Sequence, residues 1–172
     1  MKRITIKPLR HLDLIFPSLI FFLIAPSAYL YIVIENGETK FPLILIILWI
    51  GFCTVYGIGF ILHIIYYLYD REKEIIIENE TITVLRKGEK INEFKINDVN
   101  RIININSNHT RGPWQCYEYY LFLLNNGESC TLTCLLLNKK TINEVFNNNL
   151  IIEDKYLAAF LDERKRYLRK KE

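Results

Sequence analysis

The chain has 172 residues, 51% hydrophobic and 24% charged, with a formal net charge of +3. At ~100 to 200 residues per domain that leaves room for about one domain and excludes a multidomain enzyme. Charge is distributed unevenly: Leu14 to Tyr69 contains only Glu35, Glu38 and Lys40, whereas Asp70 to Glu172 holds 17 Lys or Arg and 16 Asp or Glu, a split that disfavours a disordered chain, a collagen-like chain and a simple soluble enzyme.

Residues 1–13 form a basic leader with Lys2, Arg3, Lys7 and Arg10. Leu14 to Ile34 then runs for 21 residues without a charge, and Pro42 to Tyr69 for 28 without Asp, Glu, Lys or Arg. Each exceeds the ~20 residues a helix needs to cross a bilayer, so residues 14–69 are expected to form a transmembrane hairpin with spans of about 14–34 and 42–65. The connection Glu35 to Phe41 carries an Asn-Gly turn signal. A basic leader against an acidic connection places both termini in the cytoplasm, which makes the expected localisation that of an integral protein of the inner cell membrane. A secretory signal peptide is a weaker reading, because a second apolar run follows the first. Tyr66, Tyr67 and Tyr69 are expected to mark the inner interface, and His63 to lie near the headgroups. Cys53, Gly57 and Gly59 offer small surfaces for close packing against Ser18, Ala25 and Ala28.

Beyond Arg71 the hydrophobic period drops to two, the signature of strands. Lys73 to Glu78 and Thr81 to Arg86 flank Asn79-Glu80, and a two-residue turn sets Ile77 opposite Ile82 and Ile75 opposite Val84. A turn around Lys87 to Lys90 leads to a third strand ending near Ile96. A turn at Asn97 to Asn100 precedes a fourth strand, Arg101 to Asn106. Ser107 to Gln115 reads as a long loop. Cys116 to Leu124 and Ser129 to Leu137 flank Asn125-Asn126-Gly127-Glu128, and a type I′ turn there would set Leu123 opposite Cys130 and Tyr119 opposite Cys134. Tyr117, Tyr119, Leu121 and Leu123 line one face; Tyr120, Phe122 and Leu124 line the other. Both faces need cover, from a C-terminal helix, the membrane or another protein. Thr141 to Glu144 has capping-box spacing for a short helix ended by Asn147 to Asn149. An amphipathic helix is expected from Lys155 to about Lys170, capped by Asp154.

About six antiparallel strands followed by helix, behind a two-span hairpin, resembles the bacterial membrane proteins that carry a pleckstrin-homology-like domain. The residues behind this are Glu74-Ile75-Ile76-Ile77 leading into a hairpin, the Ile96 to Ile102 turn into a strand, and the Tyr119 to Cys134 hairpin. The resemblance implies a mainly-β PH-like domain over residues 70–172, a partly open antiparallel barrel closed by the C-terminal amphipathic helix. It also implies a binding module. Phosphoinositide-binding members hold the headgroup with Lys and Arg around the first two strands, whereas Asn79-Glu80 sits here between Glu74, Glu78 and no matching cations.

Chemistry is sparse. Only His11, His63 and His109 are present, and a Cys/His pair would need His109 to reach Cys116, Cys130 or Cys134. Cys130 and Cys134, four apart on one face of a strand, are ~13 Å apart at strand rise and cannot chelate one zinc. No catalytic residue, cofactor or metal site is therefore assigned, and no nucleic-acid partner, since the basic residues are not interleaved with exposed stacking aromatics. Arg111, Trp114 and Tyr120 are the candidate protein contacts, and Arg164, Lys165, Arg166, Arg169 and Lys170 the candidate lipid contacts. The expected function is that of a non-enzymatic, membrane-anchored interaction or scaffold protein, with membrane lipid and a protein partner or a second copy as its partners. The alternatives are an accessory subunit of a transport or channel complex and, less favoured, a membrane-associated hydrolase.

Overall fold

The computed structural model describes residues 1–36, 43–107, 114–146 and 150–155. In chain order these form β1 (Lys2–Ile4), α1 (Pro8–Asn36), α2 (Leu43–Asp70), β2 (Lys73–Glu78), β3 (Thr81–Arg86), β4 (Glu89–Lys95), β5 (Val99–Asn106), β6 (Glu118–Leu124), β7 (Ser129–Thr133), α3 (Lys139–Val145) and β8 (Ile151–Lys155). One sheet has the order β1-β2-β3-β4 and the other β7-β6-β5-β8. The main core lies between them. Ile75, Ile82, Val84 and Phe94 of the first sheet meet Ile102, Tyr120, Phe122 and Leu132 of the second, and Ile142 and Phe146 close one side.

Local chemistry accounts for the first sheet. Asn79 and Glu80 both take positive φ, 46° and 62°, the paired left-handed geometry of a type I′ turn that suits the twist of a hairpin. The register follows as the alternation requires, with Ile77 opposite Ile82 and Ile75 opposite Val84. Lys87 and Gly88 repeat the device at φ 53° and 84°. Glu80 sits in a conformation that costs an L residue ~1 to 2 kcal/mol, so Glu80→Gly should raise stability by about 1 kcal/mol, read as a higher urea midpoint with an unchanged m-value.

Four expectations are corrected here. The second hairpin pairs Leu123 with Ser129, Phe122 with Cys130 and Tyr119 with Thr133, one residue away from the register of a two-residue turn. Gly127 at φ 85° bonds back to Leu124 O, and Leu124 N to Glu128 O: this is a three-residue loop, a type I turn closed by a glycine bulge. As a result Cys130 faces the main core and Cys134 the opposite side, so the two thiols do not share a face. The short helix α3 is capped by Asn138, whose side chain accepts from Thr141 N, rather than by Thr141. Asp154 belongs to β8, paired in parallel with β5 opposite Ile105. Residues 156–172, where the terminal helix is expected, lie outside the described residues, as do Asn147 to Asn149 and most of the interhelical connection.

The largest correction concerns the hairpin. The two helices do pack antiparallel, with His11 near the start of α1 beside His63 near the end of α2. Yet among the described residues no helix is long and apolar enough to cross a membrane, which overturns the membrane-spanning hairpin and, with it, the placement as an integral inner-membrane protein with cytoplasmic termini. Part of the uncharged run counted toward a crossing is committed to protein instead: Leu62, His63 and Tyr66 of α2 are buried. The first few residues also differ from a free leader, because β1 pairs with β2, Arg3 opposite Ile76. The hairpin is therefore an insertion between the first two strands of a sheet. At Gly57 an added Cβ would meet nothing within 4 Å, so this glycine does not serve a close helix contact.

Candidate functional site: the hairpin surface and its junction with the sheets

Strand alternation gives the second sheet two apolar faces, and the hairpin covers the outer one. Leu62 and Tyr66 of α2 pack on Ile103, Ile105, Tyr117, Tyr119, Cys134 and Leu135. Tyr66 is fully buried, its ring edge-on to Tyr117 and Tyr119 at centroid distances of 5.6 and 6.4 Å. Tyr66 is thus a packing group rather than an interface marker, whereas Tyr67 is 41% exposed. Burial pushes the Tyr66 and Tyr117 hydroxyls well above the ordinary tyrosine range, so both stay neutral.

Two polar clamps fix the junction. In the first, Asp70 at the end of α2 accepts from Thr133 N at 3.0 Å and Thr133 Oγ1 at 2.6 Å. Lys73 Nζ lies 3.1 Å from the other carboxylate oxygen and 3.3 Å from the centre of the Tyr69 ring. The side chains of Asp70 and Lys73 are 0% and 7% exposed, so this pair is shielded from the solvent screening that weakens surface pairs. Burial raises the Asp70 carboxyl above its ordinary value, opposed by Lys73 and by the Thr133 bonds.

The second clamp is a chain of three rings. His63 Nε2 is 3.0 Å from His11 Nδ1, and His63 Nδ1 is 3.0 Å from the Tyr117 hydroxyl, so α1, α2 and the segment before β6 are tied at one point. Burial, and then the neighbouring His11, lower the His63 pKa from 6.5 to about 4. Between those values the unfolded chain binds more protons than the folded one, and the stability contributed by neutral His63 falls as pH drops through that window.

On the other side the hairpin carries large apolar groups into solvent. Phe16, Ile24, Ile32 and Ile34 of α1, and Ile47, Ile50, Phe60 and Ile61 of α2, are all exposed. So many together exceed what scattered surface hydrophobes account for.

The residues singled out from sequence fall elsewhere. Trp114 is 9% exposed and joins the outer core, and Tyr120 is fully buried between the sheets; neither side chain presents a surface to a partner. Tyr120 directs its hydroxyl to Glu118, which also accepts from Asn104 Nδ2 at 3.3 Å. Arg111, Arg164, Lys165, Arg166, Arg169 and Lys170 lie outside the described residues, as does His109. Burial raises the Cys116 and Cys130 thiols above their ordinary pKa, which makes them poorer nucleophiles. Among the described residues no group of three or more His, Cys, Asp or Glu could hold a metal ion. Sequence reasoning missed the His11–His63 pair because the partners are 52 positions apart; the signal was two histidines, one at the polar end of each apolar run.

A family model described as PH domain matches residues 3–145, an extent that takes in β1, the whole hairpin and the strands through α3. No curated protein and no solved structure matches the chain.

Proposed function

The chain belongs to the PH domain family, and on that premise we propose that it is a non-enzymatic binding module whose exposed hairpin surface engages lipid. The family supports a binding or scaffold role. The observation that carries the lipid reading is the run of solvent-facing Phe and Ile side chains on both helices. Burial of each is worth ~1.5 to 3 kcal/mol, so a few suffice for association. The connection between the first two strands, around which phosphoinositide-binding members hold their headgroups, is occupied here by α1 and α2. An apolar contact therefore replaces headgroup capture in this reading.

Flotation of the full chain with phosphatidylcholine vesicles tests it. Co-flotation that persists in 0.5 M salt, where the Debye length is only about 4 Å and charge attraction is largely screened, is expected because screening leaves apolar burial intact. Phe60→Ser combined with Ile61→Ser and with Ile64→Ser, a further exposed position of α2, should lower the floated fraction several-fold. A chain that stays at the bottom of the gradient, or floats only at low salt, overturns the proposal.

A further inference from the structure

Each of the two histidines that meet at the hairpin junction has one ring nitrogen turned toward the other, and this arrangement has a definite proton capacity. With both rings neutral, one inner nitrogen donates and the other accepts across the 3.0 Å gap, and the Tyr117 hydroxyl adapts to either tautomer of His63. With one added proton the contact survives: His11 Nδ1–H donates to His63 Nε2, and His63 Nδ1–H donates to the Tyr117 oxygen. A second proton puts N–H groups on both inner nitrogens. Two donors and two positive charges then face each other with no acceptor between them.

We propose that the His11–His63–Tyr117 chain is an acid-sensitive latch, closed with none or one proton on the histidine pair and opened by the second, which frees the hairpin from the outer face of the second sheet. The surroundings offer no relief to the doubly charged state. Among the described residues, α1 faces His63 with His11, which also meets the Tyr67 ring of α2 edge-on, and the segment before β6 contributes Tyr117. Asp70, on the same helix as His63, and Glu118, next to Tyr117, are engaged elsewhere: Asp70 with Lys73 and Thr133, Glu118 with Tyr120 and Asn104. Low His63 basicity places the second protonation near pH 4.

Trp114 belongs to the same outer core, so it reports opening directly. The chain holds two tryptophans, Trp49 and Trp114, and Trp49→Phe leaves the second as the sole tryptophan, which can be excited apart from the tyrosines. Titrating that full chain from neutral pH downward should give a reversible red shift of Trp114 emission with its midpoint near pH 4. His63→Gln and His11→Gln each place a neutral amide, able to donate and accept, opposite the remaining ring, so a proton on that ring no longer sets two charged donors against each other; in both, the transition near pH 4 should be lost or moved down by at least ~1 pH unit. Asp70→Asn, which alters the other clamp, should leave the His-dependent midpoint in place. Absence of the transition in the parent chain, or an unmoved midpoint in either glutamine variant that folds, overturns the latch; should His63→Gln fail to fold, His11→Gln decides alone.

Discussion

Asp70→Ala is expected to lower the unfolding free energy by about 3 to 5 kcal/mol, the cost of leaving a buried partner charge uncompensated. The carboxylate joins three parts of the molecule: the end of α2, Lys73 at the start of β2, and Thr133 at the end of β7. Removing it strands Lys73 at 7% exposure and leaves Thr133 N without its acceptor. Comparison with Lys73 tells repulsion from lost packing. In the double variant Asp70→Ala with Lys73→Met the stranded charge is gone, so the loss should shrink to about 1 to 2 kcal/mol, because buried pairs are often replaceable by apolar groups at little net cost. Urea unfolding of the two variants side by side measures this; equal losses would show that the ion pair contributes nothing beyond its two hydrogen bonds. Arg3→Ala, which breaks an exposed pair with Glu74, sets the scale at below ~1 kcal/mol.

Tyr66→Ala should cost a similar ~3 to 5 kcal/mol, the range for truncating a large buried aromatic, and its effect should be localised. Tyr66 fills the space between α2 and the outer face of β5 and β6, touching Tyr117 and Tyr119 edge-on. Its loss opens a cavity at the junction and leaves the core between the sheets intact. Hydrogen exchange should therefore accelerate in the last turns of α2 and at the start of β6 well before it does in β2 and β3. Uniform acceleration across both sheets would mean that hairpin and sheets unfold as one unit. Leu68→Ala, two positions on but 52% exposed, should change stability by less than ~0.5 kcal/mol.

How much of this was readable from residues depended on sequence distance. The β2–β3 register was legible because both strands alternate strictly and a two-residue turn leaves no freedom. The β6–β7 register was not, since Asn125 to Glu128 admits both a two-residue and a three-residue loop and the glycine bulge that decides between them has no separate spelling. The two faces of β6 were assigned correctly, as was the need to cover both, but the identity of the cover was not. Apolar residues of α2 carry the same letters whether they meet lipid or the tyrosines of a sheet. β1 and β8 were invisible for a related reason: three residues of basic leader and five residues after an Asn run become strands only through partners far along the chain. The site suffered most, because Trp114 and Tyr120 were chosen as large anchors, and large aromatics fill cores as readily as they mark surfaces.

The placement of β1 also sets an order of assembly. Arg3 and Glu74 are 71 positions apart and Lys2 and Glu144 are 142 apart, so β1 is synthesised long before any residue it pairs with. Closing so wide a loop as open coil would be slow. Collapse of the intervening residues into two antiparallel helices returns the chain to its starting point and shortens the search. The strands β2 to β4, joined by tight local turns, can form without waiting. The β1–β2 seam is then the last to zip up and, with three residue pairs against six in β2–β3, the first to fray, which leaves the free edge of β2 as the place where a slowly folding copy would capture a neighbour.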